Sequence, residues 1–335
     1  MGRVIGVIGA GGWGTALAKL LAEKEHDVTL WCHGEQTFRD IRQDKQNPAY
    51  LPGIKLPAAI KATRLLDEAV QKKDALFLAV PSHYFRAVVG AAAPNVDGKA
   101  ILACATKGID EAKLAPMGEV LKEIFGAAQK ERHAFLSGPT FALEVARGQP
   151  AAVTVAALDD RIGRAVQDML GGPNFRVYTS RDIVGVEMGG VVKNVIAIAA
   201  GISDGLGLGL NARAALITRG LAEMTRLAVK MGADPLTLSG LPGLGDLVLT
   251  ATGDLSRNRS VGLEIARGKK LDEITRGTRT IAEGITNTRS VYLLAQKLGV
   301  EMPIVEQMHR VLHEGKNPLE AVKELMQRSL KAELA

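Results

Sequence analysis

Between Val4 and Leu30 the chain reads VIGVIGAGGWGTALAKLLAEKEHDVTL: an apolar run, a glycine loop, a helical pattern and the start of a second apolar run. Gly9, Gly11 and Gly14 stand in the G-x-G-x-x-G spacing of a dinucleotide site. Each glycine has its own task there: a tight turn, close approach of backbone to a pyrophosphate, and close packing of helix on strand. The phosphates would rest on free N–H groups at the helix N-terminus, where the dipole favours anions. The competing reading is a glycine-rich strand–helix turn in some other α/β protein. The strand before the loop and the helix after it favour the cofactor.

Further strands are expected at Arg3–Ile8, Asp27–Trp31, Ala75–Val80, Ala100–Cys104, Ala134–Leu136, Ala151–Val155 and Phe175–Tyr178. Helical patterns separate many of them, as a doubly wound, mostly parallel sheet requires. From Asp182 onward the pattern is helical, broken by glycine turns at Gly201–Gly209, Gly232–Pro235 and Leu241–Gly245. The expected fold class is therefore α/β, an N-terminal Rossmann-type sheet followed by an all-helical C-terminal domain. The domains divide at 1–181 and 182–335. In such sheets ligands bind beyond the carboxyl ends of the strands. That rule selects Cys32–His33, Pro81–Ser82, Thr106–Lys107 and Ser137–Thr140.

A length of 335 residues suits two domains. The net charge of +6 raises the question of nucleic acid, but aromatics are only 4% and the basic residues are scattered. A small anionic ligand fits the charge equally well. Cys32 and Cys104 lie in apolar runs and read as reduced, buried thiols of a cytoplasmic protein. The longest apolar stretch, 183–202, contains Glu187, Lys193 and Asn194, which makes it a poor membrane span and a good buried helix. No metal ligand set is expected.

The chemistry-bearing residues follow. The second strand ends without the acid that often holds a ribose 2′-hydroxyl. Cys32-His33-Gly34 stands there, with Glu35 slightly late and no arginine at the strand end. NADPH is favoured over NADH on that ground, and Glu35 keeps NADH open. Lys107 follows a strand, where it would pair with a phosphate, polarise a carbonyl or serve as an exposed turn lysine. Ser137-Gly-Pro-Thr140 offers N–H groups and hydroxyls to an oxyanion, as ordinary turns also do. Lys193 is embedded in apolar sequence. Burial would lower its pKa towards the range of a general acid or base, unless it snorkels out or pairs with Glu187. Asp246, at a glycine turn, reads either as the carboxylate such a lysine needs or as a capping aspartate. Ser256, Arg257 and Asn258 read either as a phosphate cradle or as a helix cap with surface arginines.

Taken together these segments resemble the bacterial NAD(P)-dependent glycerol-3-phosphate dehydrogenases. The matching stretches are GAGGWGTALA, PSH, ATKGI, SGPTFALEV, GGVVKNVIAIAAGISDGLGLGLNARAALITRGLAEM, GLGDLVLT, SRNRSVG and AEGITNT, running from residue 9 to about 288. The KNVIAIAAGISDG segment is specific to that family. The resemblance implies reversible reduction of dihydroxyacetone phosphate to sn-glycerol 3-phosphate by NAD(P)H, feeding glycerophospholipid synthesis. It implies that Lys193 protonates the ketone oxygen, with Asp246 and Lys107 beside it. Lys107, Gly138, Thr140, Lys193, Asp246, Ser256, Arg257 and Asn258 would contact substrate. Gly12, Trp13, His33, Tyr50, Lys107, Ala142, Arg257, Ile281 and Glu283 match cofactor-contacting positions. Many members carry serine or alanine at Gly12 and arginine near His33, and the second departure weakens the preference for NADPH. The expected partner is a small phosphorylated substrate, with no nucleic acid and no integral membrane, and a homodimer is admitted. Two rivals stand beside this reading: a β-hydroxyacid dehydrogenase of the same architecture, and a cofactor-sensing regulator that binds nucleic acid.

Overall fold

In the computed structural model, which describes residues 2–276, 282–330 and 332–333, eight strands form one sheet. They are β1 (Val4–Ile8), β2 (Asp27–Trp31), β3 (Lys61–Thr63), β4 (Ala75–Leu78), β5 (Ile101–Cys104), β6 (His133–Ser137), β7 (Ala151–Ala157) and β8 (Phe175–Ser180). Their order across the sheet is β8-β7-β6-β5-β4-β1-β2-β3. Every neighbouring pair is parallel except β6 with β7. Successive side chains point to opposite faces, and helices cover both. Ile5, Val7, Phe77 and Ala103 join one core, whereas Ile8, Leu76, Leu78 and Leu102 join the other. Burial on both faces explains why these strands read as unbroken apolar runs.

The expected strands are present, with ends moved by at most two residues. One strand of this sheet was not foreseen. β3 has only three residues, Lys-Ala-Thr, too short and too polar to make a period-2 pattern. It pairs with β2 at the sheet edge, Trp31 opposite Thr63.

The sheet ends at Ser180, and the Asp182 side chain caps the next helix by accepting from Gly185 N at 2.8 Å. That helix, α3 (Ile183–Gly205), forms the axis of the helical half; the loop helix α1 (Gly12–Glu23) and the short α2 (Met117–Phe125) precede it. Around α3 pack α4 (Gly209–Lys230), α5 (Asp246–Thr252), α6 (Arg257–Ala266), α7 (Glu283–Leu298) and α8 (Pro303–His313). Among the described residues α3 alone is long and apolar enough to cross a membrane, and 83% of its apolar window is buried inside the protein.

The expected turn at Gly201–Gly209 is confined to 206–208, for α3 continues to Gly205. Gly201 serves a helix crossing instead. A β-carbon there would lie 2.0 Å from the Arg259 carbonyl oxygen, and one on Gly262 would lie 2.1 Å from that of Ile198. Two facing glycines let α6 lie directly on α3. That contact brings the start of α6 alongside Lys193 and Asn194.

Candidate active site

The glycine loop follows β1 and opens α1 at the carboxyl end of the sheet. Gly9 has φ +112°, a conformation that favours glycine, and a β-carbon on it would meet the Ala79 carbonyl oxygen at 2.6 Å. A β-carbon on Gly14 would fall 1.9 Å from the Gly9 carbonyl oxygen, so the helix could not sit so close to the strand. Gly11 faces open space. It is also the N-cap of α1 and supplies no side chain to satisfy the first-turn N–H groups. Turn, close approach and helix packing thus fall on the three glycines in that sequence order. An open, uncapped helix N-terminus fits a pyrophosphate.

Other expected cofactor positions gather here. A β-carbon on Gly12 would lie 2.9 Å from the Tyr50 carbonyl oxygen and 3.7 Å from Ala142 Cβ. The Trp13 indole Nε1 is buried with no hydrogen-bond partner. Asn47 escaped sequence reading, since nothing in its surroundings marks a lone asparagine. Its buried amide donates to the Ala10 carbonyl at 2.9 Å and to Thr15 Oγ1 at 2.8 Å, tying the loop to α1. Ile281 lies outside the described residues.

At the end of β2, His33 is exposed, its ring edge-on to Trp31. The expectation that this strand end lacks arginine is corrected. Arg64, the residue after β3, donates to the His33 carbonyl at 3.5 Å and pairs with Glu35. Its distance in sequence and the brevity of β3 hid it.

Where the helical half meets the sheet, one carboxylate joins two lysines. Asp246, the first residue of α5, accepts from Lys193 Nζ through Oδ1 at 2.5 Å and from Lys107 Nζ through Oδ2 at 2.7 Å. Lys193 lies on α3, whereas Lys107 follows β5, so the cluster spans both halves. Asp246 is 1% exposed and Lys193 7%. Burial pulls the Lys193 ammonium down to about 8, against the opposing pull of Asp246. Glu187 is not its partner; that side chain turns away to accept from Gly118 N at the start of α2, at 2.8 Å.

Thr250, one turn after Asp246, was also missed, although the i, i+4 spacing on a helix signals it. Its hydroxyl donates to the Asp246 carbonyl at 2.6 Å and accepts from Lys193 at 2.8 Å. An ammonium has three N–H bonds. Two of those on Lys193 are thus taken and one remains. Lys107 likewise spends a second N–H on the Gly138 carbonyl at 3.2 Å, and Thr140 Oγ1 donates to the same oxygen at 3.1 Å.

Asn258, on α6, meets the residue that follows Lys193. It donates to Asn194 Oδ1 at 2.8 Å and accepts from Gly284 N at 3.0 Å. Ser256 caps α6 by accepting from Arg259 N at 3.2 Å, so its hydroxyl has a structural task. Arg259 is held by Asp204 and Asp254. Arg257 is exposed, and its guanidinium makes no hydrogen bond or ion pair among the described residues. Glu283 reaches from α7 to the residue after the strand-end Pro81, accepting from Ser82 N at 3.4 Å. Its other oxygen is buried without a partner, and burial pushes the carboxyl up to about 7. The Ser137 hydroxyl is likewise buried and unpartnered. Trp13 thus leaves an orphaned polar atom on the loop helix, and Ser137 and Glu283 leave two more beside Gly190 and Gly108, near Lys107. A bound ligand is one way to satisfy such groups.

Residues 4–162 match the family described as NAD-dependent glycerol-3-phosphate dehydrogenase N-terminus, and residues 182–323 match its C-terminus. The glycerol-3-phosphate dehydrogenase [NAD(P)+] of Syntrophotalea carbinolica is 56% identical over 330 residues, covering 98% of this chain and 99% of the relative. That of Citrifermentans bemidjiense is 53% identical over 333 residues, 99% of each chain. The crystal structure of glycerol-3-phosphate dehydrogenase from Coxiella burnetii superposes with a TM-score of 0.93 at 42% identity, covering 98% of this chain and 99% of its own. The chain belongs to the NAD-dependent glycerol-3-phosphate dehydrogenase family.

Proposed function

We propose that the Lys107–Asp246–Lys193 cluster is where this enzyme reduces dihydroxyacetone phosphate to sn-glycerol 3-phosphate, reversibly, with NAD(P)H. The observation that carries the assignment is the bridge itself. One buried carboxylate holds two ammonium groups, one from each half of the chain, leaving a net positive charge on the cluster. Such a site favours an oxygen that gains negative charge during reaction.

The uncapped N-terminus of α1, Trp13, Tyr50 and Ala142 would hold the cofactor, with Glu283 closing over it from α7. When bound, the reduced nicotinamide supplies hydride to the ketone carbon. Lys193 gives its remaining proton to the ketone oxygen as that oxygen becomes an alkoxide, and takes it back in the reverse direction. Asp246 and Thr250 fix the ammonium so that no reorganisation is needed at that moment. Lys107 keeps the Asp246 charge balanced whichever form Lys193 adopts. Arg257, whose guanidinium makes no hydrogen bond or ion pair among the described residues, suits the substrate phosphate, with Asn258 fixed next to it against Asn194.

In this reading residues 1–181 bind cofactor and 182–335 supply substrate contacts and the acid. The two free, buried cysteines suit a cytoplasmic setting. Exposed Leu210 and Leu236 on the helical half offer apolar surface to a homodimer, which analytical ultracentrifugation tests. The deciding assay follows loss of nicotinamide absorbance with dihydroxyacetone phosphate, in parallel with 3-hydroxy acids and their ketones. Turnover confined to the latter would overturn the proposal in favour of a β-hydroxyacid dehydrogenase.

A further inference from the structure

The cofactor name shared by the relatives leaves the 2′ position of the adenosine ribose undecided, and this chain carries an unusual group of residues there. β2 ends at Trp31, and the Trp31 carbonyl accepts from Gly9 N at 3.3 Å, so this strand end adjoins the glycine loop. The parallel neighbour β3 brings Arg64 to the same end. Cys32 N donates to the Thr63 carbonyl at 2.8 Å, and Trp31 Nε1 to the Arg64 carbonyl at 3.1 Å. The backbone on either side of Arg64 is thus anchored while its guanidinium is exposed.

That guanidinium does not stand alone. Its Nη1 pairs with Glu35 Oε2, and Arg39 Nε holds the other oxygen, Oε1, at 2.8 Å. One carboxylate is therefore bracketed by two guanidiniums, a cluster of net charge +1. A ribose 2′-hydroxyl needs a carboxylate acceptor, whereas a 2′-phosphate needs guanidinium donors and is repelled by a bare carboxylate. Either residue alone would bias the site. Here both are present and paired with each other.

We propose that Arg64 and Glu35 set cofactor choice: Glu35 takes the 2′-hydroxyl of NADH, and Arg64 exchanges Glu35 for the 2′-phosphate of NADPH. Arg39 makes the exchange inexpensive, because it still neutralises Glu35 after Arg64 has left. The fork of the guanidinium matches a phosphate in two-point contact, which a lysine cannot reproduce. His33, which matches a cofactor-contacting position of the family, contributes its backbone carbonyl as a rest for Arg64. The inference rests on the cofactor site described above but not on the identity of the substrate.

The test is calorimetric binding of ADP-ribose and of 2′-phospho-ADP-ribose to the full chain at one fixed, low salt concentration. Both should bind to the unmodified protein. Arg64→Ala should weaken the 2′-phosphate ligand at least tenfold more than ADP-ribose. Arg64→Lys should recover only part of that loss, and Glu35→Gln should move the ratio at least threefold the other way. Arg64→Ala variants that treat the two ligands alike would overturn the proposal. Failure of the unmodified chain to bind either would overturn the cofactor site and this inference with it. Binding of both without reduction of dihydroxyacetone phosphate would sink only the substrate assignment.

Discussion

Lys193 Nζ lies 2.5 Å from Asp246 Oδ1, across a boundary between two helices that leaves both side chains almost without solvent. An isolated buried ammonium would cost several kcal/mol and would shed its proton. Asp246 offsets that cost, and Lys107 limits how far. The outcome is a lysine held down to about 8, close to the working range of a proton donor near neutral pH. The arrangement is asymmetric. Without Lys193, Asp246 still has Lys107. Without Asp246, the two ammonium groups lose the carboxylate that bridges them.

That asymmetry predicts how variants divide. Lys193→Met should fold and bind NADPH, yet lose about 10²- to 10⁴-fold in kcat, the usual worth of a positioned acid. Asp246→Leu should lose activity and also about 3–5 kcal/mol of stability, as expected when one partner of a buried pair is removed. Steady-state rates, cofactor titration and urea unfolding separate the two. Near-normal turnover in Lys193→Met would end the assignment of Lys193 as the acid.

The same lysine should give the two directions opposite pH limbs. Reduction needs the ammonium and should fall as pH rises through about 8; oxidation needs the free amine and should rise through it. Thr250 accepts a hydrogen bond from Lys193 and so favours the charged form. Thr250→Val should therefore shift both limbs to lower pH. Rate profiles in each direction at saturating cofactor check this, and limbs that stay in place on mutation would exclude Thr250 from the role.

These residues also show what a sequence can reveal. Lys193 was legible because a charge inside a long apolar helix has few tolerable settings. The strands were legible because two-faced burial writes continuous apolar runs. Arg64 and Asn47 were not, for their meaning lies in contacts made far along the chain: a three-residue edge strand carries one, and the other points a buried amide at the glycine loop. Ser256 read equally well as cap or cradle. Only the Arg259 N–H on its hydroxyl assigns the capping task.

The glycine loop makes a sharper prediction than loss of function by any glycine change. A methyl group on Gly11 meets nothing within 4 Å, whereas one on Gly14 would overlap the Gly9 carbonyl. Gly11→Ala should leave the unfolding midpoint nearly unchanged while weakening NADPH binding at least tenfold, since the methyl occupies the space of close backbone approach. Gly14→Ala should lower stability by about 2 kcal/mol or more, the cost of overpacking. Thermal unfolding with and without cofactor distinguishes them. Equal destabilisation by both would remove the argument that Gly11 is open for a ligand.

Away from the site, Glu223 on α4 caps the start of α8, accepting from Ile304 N at 2.8 Å and Val305 N at 3.2 Å. It is 2% exposed, and burial lifts its carboxyl from 4.5 to about 7 despite those two donors. An unfolded glutamate releases its proton near pH 4.5, so between that value and about 7 the folded chain holds more protons than the unfolded one. The stability due to this group is then full below pH 4.5 and is lost as pH rises through about 7. Glu223→Gln keeps an acceptor for both N–H groups and cannot ionise. Its unfolding free energy should therefore decline less with pH across this window, by on the order of 1–3 kcal/mol, and at pH 8 it should match or exceed the parent. Urea unfolding at several pH values between 4.5 and 8 measures the difference between the two slopes. That difference isolates Glu223 from Glu187 and Glu283, whose raised carboxyls tilt both chains alike. Parallel slopes would mean that Glu223 folds in its charged form, stabilised by the α8 N-terminus more than burial penalises it.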